Sequence, residues 1–305
     1  MKGLGARPGS KISNRAEVWQ KDRCESIAFR GKTGKTERNR VAVIRNGVVI
    51  RNWAARANHY APFPHSSHIS NTGITQVLDV LVVAPHPDDA ELGMGGAILN
   101  FKARGWSVGV LDLTNGEPTP HGTPEIRTLE TAAATKILQL DWRQNLGLPN
   151  RSVEPTLQAR QQLATVIREV RPRWLFAPYW EDAHPDHVAA TQLVEAARFW
   201  AKLSKSDMPH KPFHPERIFY YFCVHLRVVT KPAFVLDISE HWQQKLDAIK
   251  CYESQFITGR PVEPPTFVDN VRDQAAFWGW SIAAKYGEPF ASKEVPGLTT
   301  LTELK

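Results

Sequence analysis

From Val77 onward the chain alternates apolar runs of strand length with stretches of helical period. "VLDVLVVAP" is continuously apolar, the pattern of a strand covered on both faces. "AELGMGGAILNFKARG" follows, with Leu92, Gly95, Gly96, Leu99 and Ala103 on one helical face and Gly105 as a stop. "WSVGVLDLT" predicts a second strand. "TPEIRTLETAAATKILQL" predicts a helix capped by Thr123, with Pro124 at its first position, where a missing N–H costs least. "WRQNLGL" reads as a short strand, and "TLQARQQLATVIREVRP" as a helix ended by Pro172. "RWLFAPYW" is a strand and "HPDHVAATQLVEAARFWAKL" a helix. "RIFYYF" and "AFVLDIS" are later strands; "EHWQQKLDAIKCYESQF" and "VDNVRDQAAFWGWSIAAKYG" are single helices. This alternation predicts an α/β fold: a Rossmann-like, mostly parallel sheet with helices on both faces.

Residues 1–76 break the pattern. They hold 14 Lys+Arg against 4 Asp+Glu, a net of +10, whereas the other 229 residues hold 24 against 27, a net of −3. The overall +7 therefore belongs to the leading segment. That segment has one short apolar patch, Val41 to Ile50, and a Pro/His/Ser/Asn-rich end, so it offers little to offset the entropy of ordering. The expected division is a basic, disordered extension over 1–76 and one domain over 77–305. The extension reads as disorder or as sequence upstream of the true start of translation, ahead of a transit-type segment or a tail for nucleic acid or an anionic surface. Three scattered cysteines and no CxxC pair exclude a disulfide framework and a zinc knuckle. No apolar run reaches the ~20 residues that span a bilayer, and no secretory pattern opens the chain. A cytoplasmic setting without membrane or nucleic-acid partners is the expectation.

Ligands of open α/β sheets bind beyond the carboxyl ends of the strands. Two unusual strings fall there: "APHPDDAE" after the first strand and "EDAHPDHVAA" after "WLFAPYW". Both place imidazoles and carboxylates at strand-to-helix turns stiffened by proline. Asp and His at a helix start also serve as caps. Brought together, though, an H-x-x-D and an H-x-x-H supply up to three ligands with carboxylates to spare, which suits Zn²⁺ with an open fourth position. A divalent cation would relieve the repulsion among the aspartates, and a carboxylate outside its shell could take a proton from water.

"PHPDDAELGMGG" and "HPDHVAA" resemble the two signatures of the LmbE/PIG-L superfamily of zinc-dependent N-deacetylases. "LTNGEPTPHGTPEIR", "NLGLPNR" and "CYESQF" are further matches, and they are most similar to the bacillithiol-biosynthesis deacetylases, which act on N-acetylglucosaminyl malate. The resemblance covers about residues 78–290. It implies His86, Asp89 and His187 as ligands of zinc, or of ferrous iron in its place, and Asp88 as general base. It implies His184 as the general acid, or as the cation facing the oxyanion, and Asp186 as the group that orients and charge-tunes His184. Arg127 matches the substrate-binding arginine; Asn115, Glu117 and Gln255 are weaker candidates for the cleft wall. An acetylated amino sugar is the implied substrate and a homo-oligomer the implied assembly. Pro120 and His121 depart from the small polar residues expected in their loop.

Two histidines and a carboxylate also describe non-haem iron oxygenases, but the sheet order and the extra aspartate argue against that class. A sugar- or nucleic-acid-binding protein without catalysis is the other rival, and competent residues at every catalytic position argue against it. "GMGG" lacks dinucleotide-loop spacing and reads as close helix-to-sheet packing. Trp278 and Trp280 read as packing or subunit contacts. His121, His210, His214, His225 and His241 read as surface or loop residues, and Cys223 and Cys251 as small hydrophobes.

Overall fold

The computed structural model describes residues 44–45, 48–49, 77–223, 225 and 229–298. The chain divides into units Met1–Ser70 and Asn71–Lys305. In the first, β1 (Ile44–Arg45) and β2 (Val48–Val49) pair antiparallel; the extension expected over 1–76 otherwise lies outside the described residues.

The second unit is built on a seven-stranded sheet in the order β5-β4-β3-β6-β7-β9-β8. Its parallel strands are β3 (Val80–Ala84), β4 (Val108–Asp112), β5 (Trp142–Asn145), β6 (Trp174–Pro178) and β7 (Arg217–Tyr221). β8 (Phe234–Asp237) and β9 (Gly287–Ala291) complete the edge, β9 running antiparallel to both its neighbours. β3 and β4 are buried at every residue, as their unbroken apolar runs predict. α1 (Asp89–Ala103), α2 (Pro124–Ile137), α3 (Leu157–Val170) and α4 (Pro185–Ala201) are the crossovers. One core lies under α3 and α4 against Leu81, Val83, Leu175 and Tyr220; another lies under α1 against Val80, Val82, Phe176 and Tyr221. The Thr123 cap is present: its hydroxyl accepts from Ile126 N–H at 3.2 Å, with Pro124 opening α2. No helix among the described residues is long and apolar enough to cross a membrane.

Several elements differ from the sequence reading. β9 is a strand where "GEPFA" gave no strand signal. The helix expected over 240–256 is split into a 3₁₀ turn (Ser239–His241), α5 (Trp242–Lys250) and α6 (Glu253–Phe256), and the helix expected over 268–287 ends early, as α7 (Phe267–Trp280), before turns that lead into β9. Lastly, α1 is broken at Met94, whose φ of −151° is not helical. At the break a buried ion pair bonds one carbonyl and two amides of the helix. Lys245 Nζ donates to Leu92 O at 2.8 Å; Glu288 accepts from Gly96 N–H at 3.0 Å and Ala97 N–H at 2.7 Å; the two side chains meet at 2.5 Å. The glycines around the break serve packing, as expected: a Cβ on Gly93 would collide with the Tyr221 ring, and one on Gly96 would sit 2.7 Å from Ile238.

Candidate active site

Strand order turns at β3. The chain steps from β3 out to β4 and β5, then returns to add β6 on the other side. Neighbouring crossovers diverge there and open a crevice at the carboxyl ends of β3 and β6. The turns after those two strands carry the two sequence motifs.

After β3, Asp88 takes φ 119° and ψ −28°, a conformation costly for a non-glycine residue and common at functional turns. It makes no cap bond to α1. Its Oδ2 accepts instead from Arg127 Nη1 at 2.7 Å, and the same nitrogen donates to Pro87 O at 2.6 Å. Asp89 Oδ2 accepts the His86 backbone N–H at 2.9 Å and faces His86 Nδ1 at 3.1 Å. After β6, Asp182 Oδ1 accepts from His184 N–H at 2.9 Å, and its Oδ2 faces His187 Nδ1 at 3.0 Å. His184 caps α4, its Nδ1 accepting from Asp186 N–H at 3.2 Å. The ring centroids of His86, His184 and His187 lie 4.7 to 5.5 Å apart.

Ligand atoms of His86, Asp89 and His187 all fall within 4.8 Å of one another. Their partners assign the tautomers. Asp182 takes the Nδ1–H of His187, leaving Nε2 a buried lone pair with no hydrogen-bond partner, 3.3 Å from Asp89 Oδ2. Asp186 Oδ2 lies 3.0 Å from His86 Nε2 and Asp89 Oδ2 3.1 Å from Nδ1; with the proton on Nε2, held by Asp186, Nδ1 turns its lone pair on Asp89 as well. Three lone-pair atoms facing one another require a proton or a cation among them. The electrostatics agree: burial alone would lower both imidazoles, but Asp89 outweighs it and holds His86 and His187 above their ordinary value. The residues present fit a divalent cation with an open position.

The other groups differ in charge state. Burial, then the Asp89 charge, push Asp88 up to about 7 against the pull of Arg127. Burial and the charges of His86 and His187 push His184 down to about 4. Behind the turn, Arg143 joins Glu91 at 2.7 Å and Asp112 at 2.8 Å, with Tyr252 hydroxyl bridging to Glu91 at 3.1 Å. This buried network fixes the first turn of α1 from below.

Several expected roles are corrected in detail. The Asp186 carboxylate bonds His86 and the amides of Arg151 and Val153, the latter at 2.8 and 3.1 Å; towards His184 it acts through its backbone N–H on Nδ1 and through its charge, which raises that imidazole. Arg127 is 4% exposed and holds Asp88 and Glu117 rather than opening to the cleft. Glu117 is buried, accepting from Thr119 N–H at 2.6 Å, and Asn115 Oδ1 receives Glu117 N–H at 3.0 Å. Gln255 is buried too, donating to Thr119 Oγ1 at 3.0 Å. Two residues read as unconnected lie at the site. The His225 ring is 5.1 Å from that of His187 and 5.4 Å from that of His184. Cys223 groups with Asp182 and His187, and burial pushes its thiol up to about 12. Sequence spacing could not reveal them, but their position just past a strand on this sheet edge could.

The family profile described as PIG-L: GlcNAc-PI de-N-acetylase matches residues 81–198, which contain both turns. A diacetylchitobiose deacetylase of Thermococcus kodakarensis is 30% identical over 205 residues, 61% of this chain and 73% of its own. The chain belongs to the PIG-L deacetylase family. A protein of Bacillus anthracis named probable N-acetyl-α-D-glucosaminyl L-malate deacetylase 2 is 28% identical, over 59% of this chain and 82% of its own. A 4-oxalmesaconate hydratase of Pseudomonas putida is 27% identical, over 63% and 79%. Among solved structures, a conserved protein of Thermus thermophilus is 41% identical with a TM-score of 0.69, covering 74% of this chain and all of that one. As a PIG-L member, the chain is a deacetylase-family enzyme whose turns after β3 and β6 form the candidate metal centre.

Proposed function

We propose that this PIG-L member is a zinc-dependent N-deacetylase, with ferrous iron as the alternative metal. Its substrate is an N-acetylglucosaminyl conjugate, N-acetylglucosaminyl malate first, and its products are acetate and the free amino sugar. The observation that carries the reading is the buried, unpartnered Nε2 of His187 facing Asp89 and His86, with the strained Asp88 beside them. A divalent cation held by His86, Asp89 and His187 would supply the positive charge that polarises an amide carbonyl and acidifies water.

The chain's own residues do the rest. Asp88, oriented by Arg127 and next in sequence to the proposed ligand Asp89, is placed to take a proton. It takes one from the attacking water as the oxygen bonds to the acetyl carbon. His184 is neutral above about 4 and its Nδ1 is occupied by Asp186 N–H, so its proton sits on Nε2. That makes it a neutral donor to the oxyanion, in place of the cationic role the resemblance implies; such donors contribute about 3–4 kcal/mol. When the C–N bond breaks, Asp88 returns its proton to the leaving nitrogen. Asp186 positions His86.

The test is acetate release from N-acetylglucosamine, its malate glycoside and diacetylchitobiose, with metal analysis of the same sample. Acetate release that stops on chelation and returns with zinc is expected. A metal-loaded protein that releases none but hydrates 4-oxalmesaconate overturns the reading.

A further inference from the structure

If the chain is the N-deacetylase proposed above, its cleft needs a group that reads the rest of the conjugate. Arg127 is poorly placed for it. Its Nη1 is held by Asp88 and Pro87 O and its Nε by Glu117, so a fork onto a substrate carboxylate would displace one of these three partners. Arg151 stands differently. It is exposed, and its backbone N–H donates at 2.8 Å to Asp186 Oδ2, the oxygen that also faces His86 Nε2 at 3.0 Å. Asn150 Oδ1 shares that N–H at 2.9 Å. The φ of 61° at Arg151 turns the chain so that the side chain crosses to the loop after β4, where Nη2 donates to Pro118 O at 2.6 Å. Its Nε and Nη1 bond to no described residue. The backbone of Arg151 is thus pinned two hydrogen bonds from a candidate metal ligand, while its exposed guanidinium keeps N–H groups that bond to no described residue.

We propose that Arg151 is the specificity residue for an anionic aglycone, reading a carboxylate carried by the group linked to the acetylated sugar. Both forks of a guanidinium pass through Nη2, and Pro118 O takes one of its two N–H groups, so the second, paired with Nε or Nη1, is left to meet a carboxylate; a permanent charge there favours an acidic conjugate over a neutral one of the same size. Neutral conjugates remain substrates, because nothing in the chemistry at Asp88 or His184 depends on Arg151.

The experiment compares the zinc-loaded full chain with Arg151→Gln and Arg151→Lys. Acetate release is measured from N-acetylglucosaminyl malate and from the neutral methyl N-acetylglucosaminide, and binding of the malate conjugate is followed by calorimetry. Arg151→Gln should raise KM for the malate conjugate on the order of 10- to 100-fold, with kcat and the neutral substrate changed less than about twofold. Lys, keeping the charge but not the fork, should fall between. Equal losses on both substrates would make Arg151 a support for Asp186 and overturn the proposal; so would an unchanged KM. A wild type that turns over neither probe defeats the deacetylase reading, and calorimetry then decides this one: equal malate-conjugate affinity in wild type and Arg151→Gln overturns it.

Discussion

Asp88 carries the sharpest test of the site's electrostatics. Burial and the neighbouring Asp89 raise its pKa from 3.8 to about 7, even with Arg127 at 2.7 Å. The sign follows from linkage. The folded, metal-free protein holds a proton that the unfolded chain has released, so stability tied to Asp88 is full below 3.8 and is lost as pH rises through about 7. About three pKa units correspond to about 4 kcal/mol at pH 8 and under about 2 kcal/mol at pH 5. Asp88→Asn removes the charge, keeps an oxygen for Arg127 and tolerates the positive φ. Stripped of metal, the variant should be more stable than wild type by about 2–4 kcal/mol at pH 8, a Tm gain of roughly 5–15 °C for a domain of this size. The gain should shrink by at least half at pH 5. Thermal and urea denaturation in chelator at the two pH values measure it. In zinc, the same variant should keep its metal and lose about 10²- to 10⁴-fold in acetate release. A variant no more stable than wild type at pH 8, or equally stabilised at both pH values, would refute the reasoning.

Three other outcomes are expected. Asp182→Asn, which weakens the partner of His187 Nδ1, should lower metal affinity about 10- to 100-fold in competition with a chromophoric chelator. Gly93→Ala should cost about 1–3 kcal/mol in urea denaturation, because its methyl would collide with the Tyr221 ring. Lys245→Met should cost about 3–5 kcal/mol by the same assay, since it leaves Glu288 buried and unpaired.

The parallel centre of the sheet was legible because buried strands leave unbroken apolar runs such as "VLDVLVVAP", and proline and threonine punctuate the helices between them. The two motif turns could be set on one edge from that alternation alone. β9 could not be read, because Gly287 and Pro289 oppose strand propensity and only pairing with β7 and β8 holds them extended. The split after Lys250 was hidden because Tyr252 leaves helical geometry to reach Glu91 and Arg143, contacts more than 100 residues distant. His225 and Cys223 lack motif spacing; they reach the crevice because β7 lies beside β6. The inward turn of Arg127 depends on the loop carrying Glu117, which no local pattern encodes.

The ion pair that bonds the break in α1 has a consequence for how the enzyme is made. By the time a ribosome has added His187, both motif turns exist, yet the helix that starts at Asp89 is still unstapled. Lys245 arrives 153 residues after Leu92, and Glu288 arrives 192 after Gly96. A nascent or truncated chain ending before Gly287 would therefore carry every proposed ligand on a helix whose break is not yet closed by Glu288.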